Sequence, residues 1–591
     1  MIDRLPIIDI APTVYFGRQF VGIKAVPHEK FTVSATVIRE GHEGVEASAL
    51  LFNPEGKLFS RTKMRPVYGV PDRFEVELSA DRIGSWFFAI EATSDGAVNG
   101  HLTSVSERFP VQVDRERALF GSWYEFFPRS EGAQRKSDGT IVSGTFVTAA
   151  KRLPEIAAMG FDVLYIPPIH PIGHSHRKGK NNSLTAAATD PGVPWGIGNE
   201  DGGHDAINPE LGTLKDFRFF IKSAQEHGIE IALDLALQAS PDHPWVQSNE
   251  EFFTKRADGS IAYAENPPKK YQDIYPINFD NDYKALFAEV VRIVKHWINE
   301  GVTLFRVDNP HTKPVHFWQE LIREINRDHP EIIFLSEAFT RPAMMHALGK
   351  AGFQQSYTYF TWRVTKQELI DYGREVAHQT SHFFRPNFWV NTPDILPLHL
   401  QSGNPNIFAI RAILAATMTP SWGMYAGYEL FEHTPMAEGK EEYLNSEKYE
   451  IKVRDWAAAA KSGKTLSPLI SKINEIRRVH PALQRLRNLH FHPTDSDAVI
   501  AYSKREGDDL VFIVVNLDPE RAVTATVNWE MWVLGFDKDS FEVTDQLDGK
   551  SHTWHRSTRI HLDPQVHQDP QEKNSSSPYG RVAHICTLNN S

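Results

Sequence analysis

Val302-Thr-Leu-Phe-Arg-Val-Asp308 and Ile332-Ile-Phe-Leu-Ser-Glu337 decide the fold. Each is a short apolar run that ends on a carboxylate. Before the first lies a helical pattern from Asp282 to Glu300, with Leu286, Val290, Ile293, Val294 and Trp297 on one stripe and Gly301 where a helix stops. Helix, strand, helix, strand is the rhythm of a β/α repeat, and it continues in both directions. Upstream strands are expected at Trp123–Phe127, Asp162–Pro168 and Ile229–Ala236, with helices at Phe146–Met159 and Leu214–His227. Downstream strands are expected at Phe353–Tyr357, Asn387–Asn391 and Gly423–Gly427. Eight such units predict an α/β fold, a closed parallel (β/α)8 TIM barrel, whose chemistry sits at the C-terminal ends of the strands.

The flanks read differently. Phe31–Ile38, Arg73–Leu78 and Gly84–Ala92 alternate with period two, as do Ala498–Tyr502, Asp509–Asn516 and Val582–Leu588. The division expected is an N-terminal β-sandwich for packing or dimerisation over 1–116, the barrel over 117–486 and a C-terminal β-sandwich over 487–591. Two connections exceed ordinary loops, 170–211 and 238–281. The second is expected to form an inserted loop domain after the third strand.

Composition narrows the function. Of 591 residues 41% are apolar and 23% charged, which permits a large core, and 63 Lys plus Arg against 75 Asp plus Glu leave a formal charge of −12. That balance argues against nucleic acid and anionic membrane as partners. The single cysteine, Cys586, cannot form an intrachain disulfide. With no signal-like start and no long apolar run, a cytoplasmic protein is expected.

Asp308 ends strand four, Glu337 ends strand five and Asp394 follows strand seven. Asp308 and Glu337 stand 29 positions apart, one barrel repeat, so neighbouring strand ends aim both into one mouth. Retaining glycosidases need this pairing, a carboxylate nucleophile and a carboxylic acid flanking the scissile bond. Arg306, two residues before Asp308, faces the same way and holds it ionised.

Four segments together resemble the α-amylase superfamily, glycoside hydrolase family 13, over most of 121–588: Asp234-Leu-Ala-Leu-Gln238, Gly301–Asp308, Phe334-Leu-Ser-Glu337 and Phe388-Trp-Val-Asn391-Thr-Pro-Asp394. The resemblance implies Asp308 as nucleophile, Glu337 as general acid/base and Asp394 as a stabiliser that grips sugar hydroxyls. Departures disfavour a hydrolytic amylase and its structural calcium: Gln238-Ala239 replaces Asn-His, Thr392-Pro393 replaces the histidine of the fourth segment, and Thr312 stands four after Asp308.

The departures resemble another branch, the α-1,4-glucan:maltose-1-phosphate maltosyltransferase family. The carriers are Arg306-Val-Asp-Asn-Pro-His-Thr-Lys-Pro314, Ser240-Pro-Asp-His-Pro-Trp245, Glu265-Asn-Pro-Pro-Lys-Lys-Tyr271, Ser446-Glu-Lys-Tyr449 and Phe126-Phe-Pro-Arg-Ser130. The resemblance implies maltose 1-phosphate and an α-1,4-glucan as substrates, a homodimer, and a phosphate site at Lys178, Gln238, Lys269, Tyr271 and Asn309. Asn391 is a candidate contact for the donor sugar, and Lys448 for the second glucose of maltosyl. That family commonly inserts a helical bundle where this chain has only the short stretch 92–108. Trp195 and Trp245 are candidates for stacking on glucosyl rings, although an isolated Trp more often serves packing, and His204-Asp205 is a candidate for lining the donor pocket. No metal or cofactor is expected, because His170, His174 and His176 lack ligand-like spacing with a carboxylate. A trehalose synthase or a sucrose phosphorylase-like enzyme is disfavoured by Gln238, Asn309 and Lys269-Lys-Tyr271. A non-catalytic glucan-binding protein is disfavoured because all three carboxylates remain.

Overall fold

A computed structural model describes residues 4–40, 44–96, 100–266, 269–565 and 577–589. Eight parallel strands form its centre: β1 (Gly121–Glu125), β2 (Val163–Ile166), β3 (Glu230–Leu235), β4 (Leu304–Val307), β5 (Ile333–Ser336), β6 (Gln355–Ser356), β7 (Phe388–Trp389) and β8 (Ser421–Tyr425). They pair in chain order from β1 to β6, and β1 pairs with β8 and β8 with β7. The ring closes where Ser356 N donates to Arg385 O at 3.0 Å and Asn387 N donates to Ser356 O at 2.8 Å. The expected barrel is present. Its strands read as continuous apolar runs because both faces are buried. Trp123, Val163, Tyr165, Ala232, Leu304, Ile333, Leu335, Tyr357 and Trp389 fill the interior.

Local chemistry sets the surrounding helices. Tyr283–Asn299 starts at Asp282, whose side chain accepts from Ala285 N, and buries the five residues of the expected stripe. It stops at Gly301, whose φ of +97° suits a residue without a Cβ. Thr213 and Thr365 begin their helices with reciprocal capping boxes to Asp216 and Glu368. The helix Pro405–Met418 is apolar around its circumference because it lies between barrel and C-terminal sheet.

The N-terminal unit stacks the sheet built on Ile7–Ala11, Phe31–Val37 and Arg73–Leu78 against one built on Glu46–Phe52, Gly84–Gly96 and Phe109–Val113. Buried Arg385 ties it to the barrel, donating to Asp114 Oδ2 at 2.6 Å and Ala25 O at 2.8 Å. Within 92–108 the chain runs as an antiparallel hairpin, with Glu91 opposite Val105 and Gly96 opposite Gly100; residues 97–99 at its tip lie outside those described.

The C-terminal unit is a six-stranded sheet faced by the ladder Val523–Asn528/Ser557–Leu562. Its strand Asp509–Asn516 has two apolar faces. Phe512 and Val514 meet Trp529 and Trp554, while Val511, Ile513 and Val515 belong to the core shared with the barrel.

The segment 238–281 forms short ladders, Gln238–Ala239 with Tyr275–Pro276 and Ala264–Asn266 with Lys269–Tyr271. Its buried Phe252, Phe253, Ile277 and Phe279 join the barrel core. It is a loop seated on the barrel, without a core of its own. Among the described residues no helix is long and apolar enough to cross a membrane.

Candidate active site

Arg306 organises the mouth of the barrel. It lies on β4 opposite Asp234 of β3, and alternation along β4 puts its side chain on the same side as Asp308. One nitrogen, Nη1, lies 2.8 Å from Asp234 Oδ2 and 2.8 Å from Asp308 Oδ1. The other, Nη2, lies 3.1 Å from Glu337 Oε1. One buried guanidinium therefore spans three carboxylates. The Tyr165 and Tyr357 rings, 5.4 and 5.8 Å away, wall it from below. Asp234 is fixed further by Tyr165 Oη at 2.6 Å and Trp195 Nε1 at 3.3 Å.

After Asp308 the backbone turns through Asn309 at φ +43°, a conformation asparagine tolerates better than most residues. The turn aims Asn309 N at Glu337 Oε2 (3.1 Å) and Asn309 Nδ2 at Asp308 Oδ2 (3.3 Å). Lys313 braces it, its ammonium 3.4 Å from Asp308 O and 3.3 Å from Asn309 O.

These surroundings push the two carboxylates apart in acidity. Burial raises the pKa of Asp308, but Arg306, Lys313 and the Asn309 amide outweigh it and hold the group below the usual carboxylate range. Burial pushes Glu337 up to about 8, aided by the charges of Asp308 and Asp394 and opposed by Arg306. At neutral pH one group is an anion and the other an acid. That is the division of labour a double displacement requires.

Both line a cavity of about 800 Å³, together with Lys178, Trp195, Gln238, Tyr271, Asn309, Lys313, Asp394 and Lys448. Gln238 is oriented by donating Nε2 to Trp195 O at 3.1 Å. The Lys448 ammonium contacts Asp394 Oδ1 and stands 5.4 Å from the Trp195 ring centre. The side chain of Lys269 lies outside those described; its backbone pairs with Asn266.

Three of the candidate positions have their side chains engaged with other parts of the protein. Asn391 is buried below the site, with Nδ2 donating to Tyr443 Oη at 2.9 Å and Oδ1 accepting from Tyr425 N at 2.9 Å. Both ends of its amide are used, so it braces the β7–β8 wall. Trp245 stacks on His204 (4.8 Å between centroids, 14° between planes) within the core. His204 bonds Ala236 O through Nε2, and Asp205 pairs with Arg292 on the exterior at 2.8 Å. Conversely, Lys313 and Tyr165 are contributors that spacing did not single out. Lys313 stands inside the quoted motif Arg306–Pro314, five residues after the nucleophile.

Among the described residues two histidine–carboxylate groups are compact enough to share an ion, both in the C-terminal unit: His490/His492/Glu530 and Asp545/His552/His584. Some of their polar atoms already have partners, whereas the buried His552 Nε2 has none. His492 Nδ1 accepts from Glu530 N at 3.2 Å, and Asp545 Oδ2 holds Arg581 at 3.1 Å.

Comparison with known proteins places this geometry in context. Residues 3–123 match the family described as alpha-1,4-glucan:maltose-1-phosphate maltosyltransferase, domain N/S, and residues 491–569 match GLGE, C-terminal. The chain is 49% identical to alpha-1,4-glucan:maltose-1-phosphate maltosyltransferase 2 of Streptomyces coelicolor, over 95% of each chain. It is 55% identical to the protein of that name from Mycobacterium tuberculosis, over 78% of this chain and 66% of the other. Among solved structures, a maltogenic alpha-amylase from Thermotoga neapolitana aligns with TM-score 0.59 at 19% identity, over 80% of this chain and 99% of that one. A cyclomaltodextrinase aligns with TM-score 0.60 at 14% identity, over 95% and 96%. The last two speak to the fold.

Proposed function

The chain belongs to the α-1,4-glucan:maltose-1-phosphate maltosyltransferase family, and we propose that its cleft transfers maltosyl from α-maltose 1-phosphate to the non-reducing end of an α-1,4-glucan with release of phosphate. Asp308 attacks the anomeric carbon as the bridging oxygen departs with the phosphate. Glu337, protonated at neutral pH, hydrogen-bonds or protonates that oxygen. The departing anion is received by Lys178, Gln238, Tyr271 and Asn309, which share the cavity with Asp308, and by Lys269. Fixed donors in a partly dried cleft stabilise such charge more strongly than bulk water does.

Forming the ester removes the charge of Asp308, one of the causes that raise Glu337. Glu337 then ionises more readily and accepts the proton of the incoming 4-hydroxyl as maltosyl leaves Asp308. Two inversions retain the α configuration. Asp394 grips sugar hydroxyls, and Lys448 holds Asp394.

The observation that carries this reading is the single guanidinium joining Asp308 to Glu337 beside a wall rich in cationic and amide donors. Incubation with α-maltose 1-phosphate and a short maltooligosaccharide tests it. Products lengthening by two glucosyl units with equimolar phosphate support it. Hydrolysis to maltose, or growth by one unit, refutes it. The reading includes a cytoplasmic homodimer with no nucleic-acid or membrane partner, which sedimentation and fractionation test.

A further inference from the structure

We propose that a clasp between Asn181 and Asn445 sets the length of the transferred group by ending the donor pocket at its second glucosyl unit. This rests on the maltosyl-transfer reading above and adds what limits the donor.

The direction of the donor follows from the wall chemistry. Gln238 and Asn309, on the proposed phosphate wall, border the catalytic cavity alone, whereas Asp394, Lys448 and Tyr271 border both it and a second space, so the sugar extends past Asp394 and Lys448. There the cleft leads into a smaller cavity of about 150 Å³, bordered by Asp394, Lys448, Ser446, Tyr443 and Asn181. Its volume is on the scale of one hexose ring, and its lining is rich in groups that hydrogen-bond hydroxyls.

Beyond that cavity the protein is not filled. A third cavity of about 840 Å³ lies against Lys180, Tyr443, Asn445, Glu450 and Lys452, roomy enough for further sugar. Tyr443 borders both spaces, Asn181 faces the small one and Asn445 the large one.

What separates them is a reciprocal amide pair. Asn181 Nδ2 donates to Asn445 Oδ1 at 3.0 Å, and Asn445 N donates to Asn181 Oδ1 at 2.7 Å. Both residues hold left-handed backbones, φ +49° and +52°. Asparagine is among the few side-chain-bearing residues that enter this region readily, and its short amide reaches across. The Lys180–Glu450 pair at 3.4 Å reinforces the join from behind. The partition thus links the long loop after β2 to the loop after β8. A third glucosyl unit on the donor meets it.

The test compares α-maltose 1-phosphate with α-maltotriose 1-phosphate as donors, with a maltooligosaccharide acceptor, for the wild type and for Asn181→Gly/Asn445→Gly. Glycine keeps both backbone conformations and removes the clasp. The expected wild type transfers maltosyl and discriminates strongly against maltotriosyl. In the double variant the ratio of kcat/KM for triosyl over diosyl donor rises by about tenfold or more, with products stepping by three units.

An unchanged ratio in a variant that still transfers maltosyl overturns the proposal. So does wild-type enzyme using both donors equally, a result that needs no variant and stands if the double variant fails to fold. Asn445→Gly alone, which leaves the loop after β2 intact, is expected to raise the same ratio by a smaller factor. If neither donor releases phosphate from the wild type, the maltosyl-transfer reading itself fails.

Discussion

Raising the pH through 8 should switch off Glu337 as an acid. Its pKa is raised from the ordinary 4.5 to about 8, by burial first and then by the charges of Asp308 and Asp394. At pH 7 a group of pKa about 8 is roughly nine-tenths protonated, whereas one of pKa 4.5 would be about 0.3% protonated, a roughly 300-fold difference in competent enzyme. Above pH 8 each further unit should lower kcat/KM by about tenfold. The assay is phosphate release from α-maltose 1-phosphate at saturating glucan, from pH 5 to 10. The basic limb is the informative one, since the second phosphate ionisation of the donor lies near ~6 and complicates only the acidic side. Glu337→Gln should abolish that limb along with most turnover. A wild-type rate that falls already below pH 6, or stays flat to pH 10, would refute the assignment of acid catalysis to a buried, charge-raised Glu337.

Other expectations follow from the same contacts. Glu337 binds its proton more tightly folded than unfolded, so its contribution to stability is fully present below about pH 4.5 and is lost as pH rises towards 8. Glu337→Gln should therefore raise the stability measured by Tm near pH 8, by about 1–3 kcal/mol, with the gain vanishing near pH 4; a constant gain at both would contradict the cause given. At the proposed phosphate site, Gln238→Ala removes a hydrogen bond to the departing phosphate, worth about 1.5–3 kcal/mol. Kinetics should show kcat/KM for maltose 1-phosphate falling roughly 10–100-fold while α-maltosyl fluoride, which carries no phosphate, is used nearly as before. Lys313→Met releases the Asn309 turn and removes a cation beside Asp308; the acid limb of the rate profile should move to higher pH, and an unmoved limb would reduce Lys313 to filler. Lys448→Met frees Asp394 and should weaken donor binding more than it slows phosphate release at saturation.

Much of the fold was legible because parallel barrel strands are buried on both faces. Val302–Val307 shows this, its apolar run broken only by the Thr and Arg that the sheet turns to account. The shorter strands were read too long. Gln355–Ser356 survives as a two-residue strand because Gln355, although polar, donates to Arg117 O and Ala118 O at 3.1 Å. Pairing of that kind lies more than 200 residues away in sequence. The nucleophile and acid were legible for a geometric reason, since one barrel repeat brings two strand ends together. The aim of individual side chains was not. Asn391 follows strand seven as a sugar contact would, yet Tyr443 and Tyr425 capture both ends of its amide. The Asn181–Asn445 join spans 264 residues and depends on two left-handed turns that composition cannot reveal.

The most direct test of the account is the site of covalent attachment in the Glu337→Gln variant. Without its base, transfer to the acceptor slows more than phosphate departure does, so the maltosyl-enzyme should accumulate. Quenching with acid, followed by peptic digestion and mass spectrometry, should find maltosyl esterified to the peptide carrying Asp308, and on Asp308 within it. A maltosyl group on any other side chain, or product of inverted configuration from the wild type, would contradict the mechanism.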